Sequence, residues 1–296
     1  MITHERPHFL GIGAQKAATT WLHRCLRAHP GLWLPPIKEL HYFTHRPHDL
    51  NQGIVGRLTG GDWVNRRLRR ILKPRLLTDL RRLDTAGLRW DLRFLLGARN
   101  DAWYESLFWE GAGRVTGEIT PEYSSLSAEE VGTIRNAFPN LRLLYVMRDP
   151  IDRAWSQMRM MARRRGTSVG LLSDEECLEM AKDPRIVKRG EYGRTLHNWG
   201  CHFPPERLFV AFMEEVRSSP RELLFRILDF LGVARGDSFL PPDLLRPIHQ
   251  GDRQPIPKAV ERELARFHLE DLRNLEKRFG SPTREWRERA ERALAS

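Results

Sequence analysis

Three cysteines, at positions 25, 177 and 201, are too few and too far apart for a disulfide framework, and none has the paired spacing of a zinc site. They are expected to be ordinary buried thiols. No run approaches the ~20 apolar residues needed to span a bilayer. The N-terminus is charged and contains histidine where a signal peptide would carry its apolar segment, so a cytoplasmic protein is expected. Acidic charge is also short: 38 Asp and Glu against 49 Lys and Arg leave a formal net charge of +11. Such an excess favours an anionic ligand, an anionic membrane surface or nucleic acid. Nucleic acid is not expected, because no helix-turn-helix, zinc finger or aromatic RNA-binding strand accompanies the basic clusters Arg66-Arg67-Leu68-Arg69-Arg70 and Arg163-Arg164-Arg165. Those clusters are either solvated helix faces or grips for an acidic acceptor or a lipid head group. No internal repeat or low-complexity linker divides the 296 residues, so a single domain over 1–296 is expected.

What the chain does have is a phosphate loop. The apolar run Phe9–Ile12 breaks at Gly13 into small residues with one lysine and two hydroxyls, and Trp21, Leu22, Cys25 and Leu26 then begin a helical apolar face. A strand, an anion-binding loop and a helix follow from this pattern. Converging backbone N–H groups, the helix N-terminus and Lys16 would each favour an anion there. The nucleotide-triphosphate spacing G-x-x-x-x-G-K-[ST] is not met, since Thr19 occupies the lysine position. Taken alone, the segment also fits a plain strand-to-helix turn.

A second segment, Leu143-Leu144-Tyr145-Val146-Met147-Arg148-Asp149-Pro150, reads as a buried parallel strand that delivers Arg148 to its carboxyl end, where ligands bind in open α/β sheets. Asp149-Pro150 is an N-cap followed by a first-turn proline. The helix it opens carries Ile151, Ala154, Trp155, Met158 and Ala162 on one face and returns Ser156 about two turns later. A guanidinium and a hydroxyl so placed suit a phosphate monoester. Further strands are expected at Arg114–Ile119 and Leu208–Phe212. Ser219-Pro220-Arg221-Glu222 reads as a capping box, with Gly232 ending its helix. A last helix should start near Pro257, bury Val260, Leu264, Phe267, Leu272, Leu275 and Phe279, and stop at Gly280. Arg- and Leu-rich stretches between about 51 and 113, broken by Gly60-Gly61, Pro74 and Gly87, read as a helical insertion over the active site.

The run Lys16-Ala17-Ala18-Thr19-Thr20-Trp21-Leu22 resembles the K-x-G-T-T-W-L stretch of sulfotransferases that use 3′-phosphoadenosine 5′-phosphosulfate (PAPS), with Ala18 where that family usually has glycine. Arg148-Asp149-Pro150 with Ser156 resembles the family's V-x-R-[DN]-P…S motif. The likeness is strongest toward the heparan-type glycan sulfotransferases and their bacterial relatives. Lys38-Glu39-Leu40-His41-Tyr42-Phe43 looks like their E-x-[HQ]-[FY]-F segment. Trp103-Tyr104-x-x-Leu107-Phe108, Gly117-Glu118-x-Thr120-Pro121-x-Tyr123 and Gly190-x-Tyr192-x-x-x-Leu196-x-x-Trp199 match recurring stretches. The resemblance implies a P-loop-like, three-layer α/β fold with a central parallel sheet and PAPS as donor, leaving 3′-phosphoadenosine 5′-phosphate (PAP). It implies that Lys16, Ala17, Ala18, Thr19, Thr20 and Trp21 grip the 5′-phosphosulfate, that Arg148 and Ser156 hold the 3′-phosphate, and that Glu39 is the base. Ile119 stands where the glycan enzymes often have a cofactor-contacting lysine. Gln250-Gly251-Asp252-Arg253 only loosely resembles the loop over the 3′-phosphate, which makes Arg253 the weakest cofactor contact.

Charge flow gives the mechanism such residues imply. A carboxylate takes the proton of the attacking hydroxyl or amine, and Lys16 meets the charge that develops on the leaving phosphate; no metal is required. His41 is a rival base, and Glu118 is expected to order loops rather than titrate. A nucleoside-triphosphate-dependent kinase on a related P-loop fold would need a Walker-type lysine and an acidic Mg²⁺ ligand, whereas Asp149 reads as a cap. A non-catalytic basic binding module would explain the charge but not two phosphate motifs in order. The acceptor, a small molecule, lipid or glycan, is not written in these residues, and peripheral membrane contact fits the charge.

Overall fold

The computed structural model describes residues 6–44, 61, 63–245 and 254–296. A five-stranded sheet forms its centre: β1 (Phe9–Gly13), β2 (Leu32–Trp33), β3 (Val115–Ile119), β4 (Arg142–Met147) and β5 (Leu208–Phe212), in the order β2-β3-β1-β4-β5. Every pairing is parallel. β1 is buried along its whole length and β4 at all but its first residue, as expected of parallel strands covered by helices on both faces. Four strands lie where their apolar runs put them. The fifth, β2, is a two-residue strand too short to show a period.

The helices are α1 (Thr19–Ala28), α2 (Trp63–Arg82), α3 (Thr85–Leu96), α4 (Asp101–Ser106), α5 (Ala128–Ala137), α6 (Pro150–Arg164) and α7 (Asp174–Ala181). After them come α8 (Pro184–Val187), α9 (Tyr192–Gly200), α10 (Met213–Ser218), α11 (Pro220–Leu231), α12 (Lys258–Phe279) and α13 (Thr283–Ala295). The apolar stripes of α1, α6 and α11 are buried as expected. Gly232 and Gly280 end α11 and α12 at positive φ, 74° and 66°.

Several expectations need correction. Pro74 lies inside α2 rather than ending it. The break comes at Leu83, whose φ is +54°, and at Asp84, which caps α3 by accepting from Gly87 N at 2.9 Å. Ser219 holds the N-cap position of α11 but its hydroxyl caps nothing, because φ −145°, ψ 54° turns it away from the first-turn amides. Phe267 is 40% exposed, whereas Ala265 and His268 are buried beside Leu264. Cys201 is exposed, unlike Cys25 and Cys177. The polar helix α13 was not anticipated, since Trp286, Ala290 and Ala293 are a thin buried stripe among charges. Among the described residues no helix is long and apolar enough to cross a membrane. Gly60 and the start of the insertion lie outside the described residues.

β1 and β3 approach closely where Gly11 faces Ile119. A Cβ on Gly11 would lie 2.7 Å from Ile119 Cγ1 and 2.9 Å from its Cγ2. Gly11→Ala should therefore lower unfolding stability by about 1–3 kcal/mol, and adding Ile119→Ala should restore part of that loss. Urea denaturation of the single and double variants checks it; strictly additive losses would show that the two side chains do not compete.

Candidate active site

β1 and β4 are neighbours, so their carboxyl ends bring the first loop and Arg148 together. In the loop, Lys16 and Ala18 take positive φ, 71° and 58°. For alanine this left-handed backbone costs roughly 1–2 kcal/mol that glycine avoids. Ala18 is the N-cap of α1 and supplies no side-chain cap, and the first turn has no acidic residue. The first-turn N–H groups of α1 are thus left for a ligand. Arg148 Nη1 donates to Lys16 O at 3.1 Å, and Nη2 lies 3.5 Å from Asp152 Oδ2. Its Nε is buried with no protein partner. Burial, together with the charges of Arg163, Arg148, Arg159 and Arg164, lowers the Lys16 pKa to about 8. A cluster of arginines that depresses Lys16, with a guanidinium N–H left unsatisfied, is an arrangement that an anion completes.

The positions of these groups are fixed from behind. Asp149 accepts from Ile151 N at 2.8 Å, and its other oxygen takes a 2.8 Å bond from Arg289 of α13. It is a cap, as its sequence context implied, and through Arg289 also a brace. Tyr192 OH donates to Arg148 O at 2.6 Å. Ser156 of α6 is 8% exposed, and helical spacing puts Arg159 and Arg163 on its face. Trp21 is buried, and its indole N–H donates to Leu244 O at 3.0 Å, so only its backbone belongs to the loop. The Trp155 indole holds Gln254 O at 3.0 Å. Both flanks of residues 246–253 are thereby tied to the two loop-bearing helices, while Arg253 itself lies outside the described residues.

Beside the loop lies the segment that follows β2. Glu39 and His41 both have positive φ, 65° and 54°. Between them, Leu40 N donates to Glu118 Oε2 at 3.1 Å, and Tyr42 N donates to Tyr123 OH at 3.1 Å. Glu118 also accepts from Thr120 and Tyr123 hydroxyls at 2.6 Å each and from Tyr104 OH at 2.8 Å. Burial raises its pKa, and those donors oppose the rise. Glu118 thus orders the loops, as anticipated.

Glu39 takes a 3.1 Å bond from Lys38 Nζ, which also donates to Thr20 Oγ1 at 3.3 Å and Thr19 Oγ1 at 3.5 Å. His41 Nε2 is 3.6 Å from Glu39 Oε2, and its Nδ1 is 3.1 Å from Glu122 Oε2. Burial alone would lower His41, but Glu122 and Glu39 outweigh it and hold the imidazole above its ordinary value. Bonding to His41 and the charge of Arg189 take Glu122 down to about 2. Arg189 bridges Glu122 Oε1 at 2.7 Å and Gln15 Oε1 at 3.0 Å, returning the chain of charges to the first loop. On α4, Tyr104 stacks on Tyr42 (centroids 4.4 Å apart, 10° between planes), so α4 backs the Glu39 segment.

The structure therefore brings Lys16, Ala17, Ala18, Thr19 and Thr20 together with Arg148, and sets Glu39 against the loop hydroxyls through Lys38. Sequence reasoning passed over Lys38, although it stands in the same short stretch as Glu39. It also passed over Arg159, three residues beyond Ser156. Glu122 and Arg189 are joined 67 residues apart and left no local signal.

A model described as Sulfotransferase family matches residues 7–237, a range that includes both phosphate motifs and the Glu39 segment. Human heparan sulfate glucosamine 3-O-sulfotransferase 3B1 is 29% identical over 139 residues, covering 45% of this chain and 35% of that protein. Human heparan sulfate glucosamine 3-O-sulfotransferase 6 is 30% identical over 168 residues, covering 54% and 47%. The chain thus matches less than half the length of either relative. A sulfotransferase structure from Alicyclobacillus acidocaldarius superimposes with a TM-score of 0.66 at 23% identity, covering 95% of this chain and 99% of that one. The sulfotransferase domain of the Synechococcus PCC 7002 olefin synthase gives 0.57 at 18% identity, covering 90% and 94%. These two likenesses establish a P-loop-like α/β fold, and the family match over most of the sequence, motifs included, establishes that the chain belongs to the sulfotransferase family.

Proposed function

We propose that this chain transfers a sulfuryl group from PAPS to a hydroxyl or amine acceptor, with Glu39 as general base. One observation carries this reading: Arg148, with a buried unpartnered Nε, meets the uncapped loop of Lys16 at 3.1 Å inside a cluster of cations. PAPS would supply the sulfuryl group on an activated phosphate. Lys16 and the loop N–H groups would hold its 5′-phosphosulfate, and Arg148 and Ser156 its 3′-phosphate; Arg253 is a further 3′-phosphate contact from sequence alone. As the acceptor oxygen or nitrogen bonds to sulfur, its proton passes to Glu39, the sulfur–oxygen bond to phosphate breaks, and the electron pair stays on the 5′-phosphate of PAP. Lys16 and the α1 N-terminus stabilise that charge where it develops.

His41 suits the base role less well. Two carboxylates favour its protonated form, and an imidazolium has no lone pair to take a proton. The scheme assigns no step to a metal, and among the described residues no group of three or more His, Cys, Asp or Glu side chains is arranged to hold one. A kinase is disfavoured, because Asp149, just beyond the end of β4, is occupied as a cap and by Arg289. The acceptor is a small molecule, a lipid or a glycan, with the 51–113 insertion choosing among them in a cytoplasmic enzyme that touches membranes at most peripherally and does not use nucleic acid.

PAP should bind and stabilise the fold, and ATP with Mg²⁺ should not. Arg148→Ala should cost roughly 1.5–3 kcal/mol of PAP affinity, the scale of a charge-assisted hydrogen bond. Calorimetry decides, and tight ATP binding without PAP binding would overturn the proposal.

The lowered Lys16 pKa gives a pH test. The free lysine is charged below about 8 and an anion favours the charged form, so PAP affinity should fall as pH rises through 8, approaching tenfold per pH unit, with proton uptake on binding. An affinity flat to pH 9.5 would separate Lys16 from the phosphate.

Glu39→Gln preserves shape and removes the base. Turnover should drop on the order of 10²–10⁴-fold with PAP affinity nearly unchanged. Near-normal turnover there, with activity abolished by His41→Asn, would move the base to His41.

A further inference from the structure

Lys38 touches both the loop hydroxyls and the candidate base. Its ammonium donates to Glu39 Oε1 at 3.1 Å, Thr20 Oγ1 at 3.3 Å and Thr19 Oγ1 at 3.5 Å, and its side chain is 20% exposed. An ammonium has three N–H donors, and each has a partner in this resting arrangement. Two of those partners are hydroxyls of the phosphate loop and the third is the candidate base. No cation comes from the end of β3, where Ile119 is 1% exposed and lies over Gly11. Lys16 feels the charges of Arg163, Arg148, Arg159 and Arg164 instead.

We propose that Lys38 is a catalytic residue that serves the sulfuryl group rather than the nucleotide. The inference rests on the sulfotransferase reading above. In the resting site Lys38 is ion-paired with Glu39. When the acceptor's proton moves to Glu39, that carboxylate loses its charge and the ammonium loses its anionic partner. At the same moment the acceptor–sulfur bond forms, the sulfur–oxygen bond to the 5′-phosphate breaks, and negative charge appears on the sulfuryl and phosphate oxygens. The Lys38 charge would then be released from the base toward those oxygens, which the Thr19 and Thr20 hydroxyls beside it would help to hold. An interaction with the sulfuryl oxygens that is present with bound PAPS and strengthens as charge develops lowers the barrier without tightening product binding.

The groups facing Glu39 and Lys38 are His41 at 3.6 Å from Glu39, with Glu122 behind it, and His23 of α1. Burial and the charges of Lys38 and Arg27 take His23 down to about 4, so it is neutral around pH 7 and does not replace Lys38 as a cation.

The experiment compares wild type, Lys38→Met and Lys38→Arg in the full chain, measuring PAP affinity, PAPS affinity without acceptor, and the pH profile of kcat/KM. In Lys38→Met, PAP affinity should stay within about threefold while PAPS affinity falls roughly tenfold or more, because only PAPS carries the sulfuryl group. Turnover should fall on the order of 10²–10³-fold, and the acid limb of the pH profile should move to higher pH, since Glu39 loses its cation. Lys38→Arg should recover part of each. Equal losses of PAP and PAPS affinity would mark Lys38 as structural and overturn the proposal. Unchanged PAPS affinity with an unmoved acid limb, in a chain that binds PAP normally, would overturn it while leaving the sulfotransferase reading intact. A wild-type chain that binds neither nucleotide would overturn both.

Discussion

The whole Glu39 side of the site hangs on one buried carboxylate. Glu118 is 2% exposed and has four donors, from Leu40 N, Thr120, Tyr104 and Tyr123. Removing a carboxylate from water is expensive unless its lone pairs are taken, and these donors take them. Each donor comes from a different piece of chain: the segment after β2, the end of β3, α4 of the insertion and the turn after β3. Tyr123 extends the set by receiving Tyr42 N as it donates to Glu118. Two alternate backbone amides, Leu40 and Tyr42, are thereby pinned inward. Removing Glu118 would release the elements that aim Glu39 rather than a proton acceptor.

Charge is sorted by sign across the loop hydroxyls. Toward α6 the groups acting on Lys16 are all cations, so Lys16 is driven down and the region calls for an anion. Toward the base the signs alternate, Lys38, Glu39, His41, Glu122, Arg189, and the series closes on Gln15 of the phosphate loop. The alternating side is paired charge by charge, whereas on the cationic side, among the described residues, only Asp152 answers Arg148 and its Nε is left over. A nucleotide anion would complete the second and leave the first free to move a proton.

Legibility in the sequence followed the range of the interaction. β1, β4 and β5 show as apolar runs and the α6 cap as Asp149-Pro150, because their causes lie within a few residues. Local punctuation misled where tertiary contacts overrode it: Pro74 sits within α2, and Ser219 fails to cap although its sequence fits a capping box. Loop membership of Lys16 and Thr19 was readable from small residues after a strand. Lys38 was hidden because a lysine beside a glutamate is ordinary on a surface, and only the fold brings it to Thr19 and Thr20. Arg189 and Glu122 meet through tertiary structure alone. The resemblance supplied Glu39, which composition and spacing would have left as a surface carboxylate.

Backbone strain gathers at the same place. Among the described residues five non-glycine positions have positive φ, and four of them, Lys16, Ala18, Glu39 and His41, belong to this site. Each such conformation costs of order 1–3 kcal/mol and persists only where surroundings over-determine it. The surroundings here are identifiable: Arg148 on Lys16 O, and Glu118 on the amide between Glu39 and His41. The stability spent on this geometry turns loop N–H groups and a carboxylate to fixed positions before any ligand arrives. Groups already aimed need no reorganisation as charge develops, which is the condition under which buried dipoles and ions lower a barrier most. Ala18 shows the point at its smallest scale, since the helix begins in a left-handed turn at a residue that gains nothing from it locally, and what that turn leaves behind is an uncapped first turn of amides.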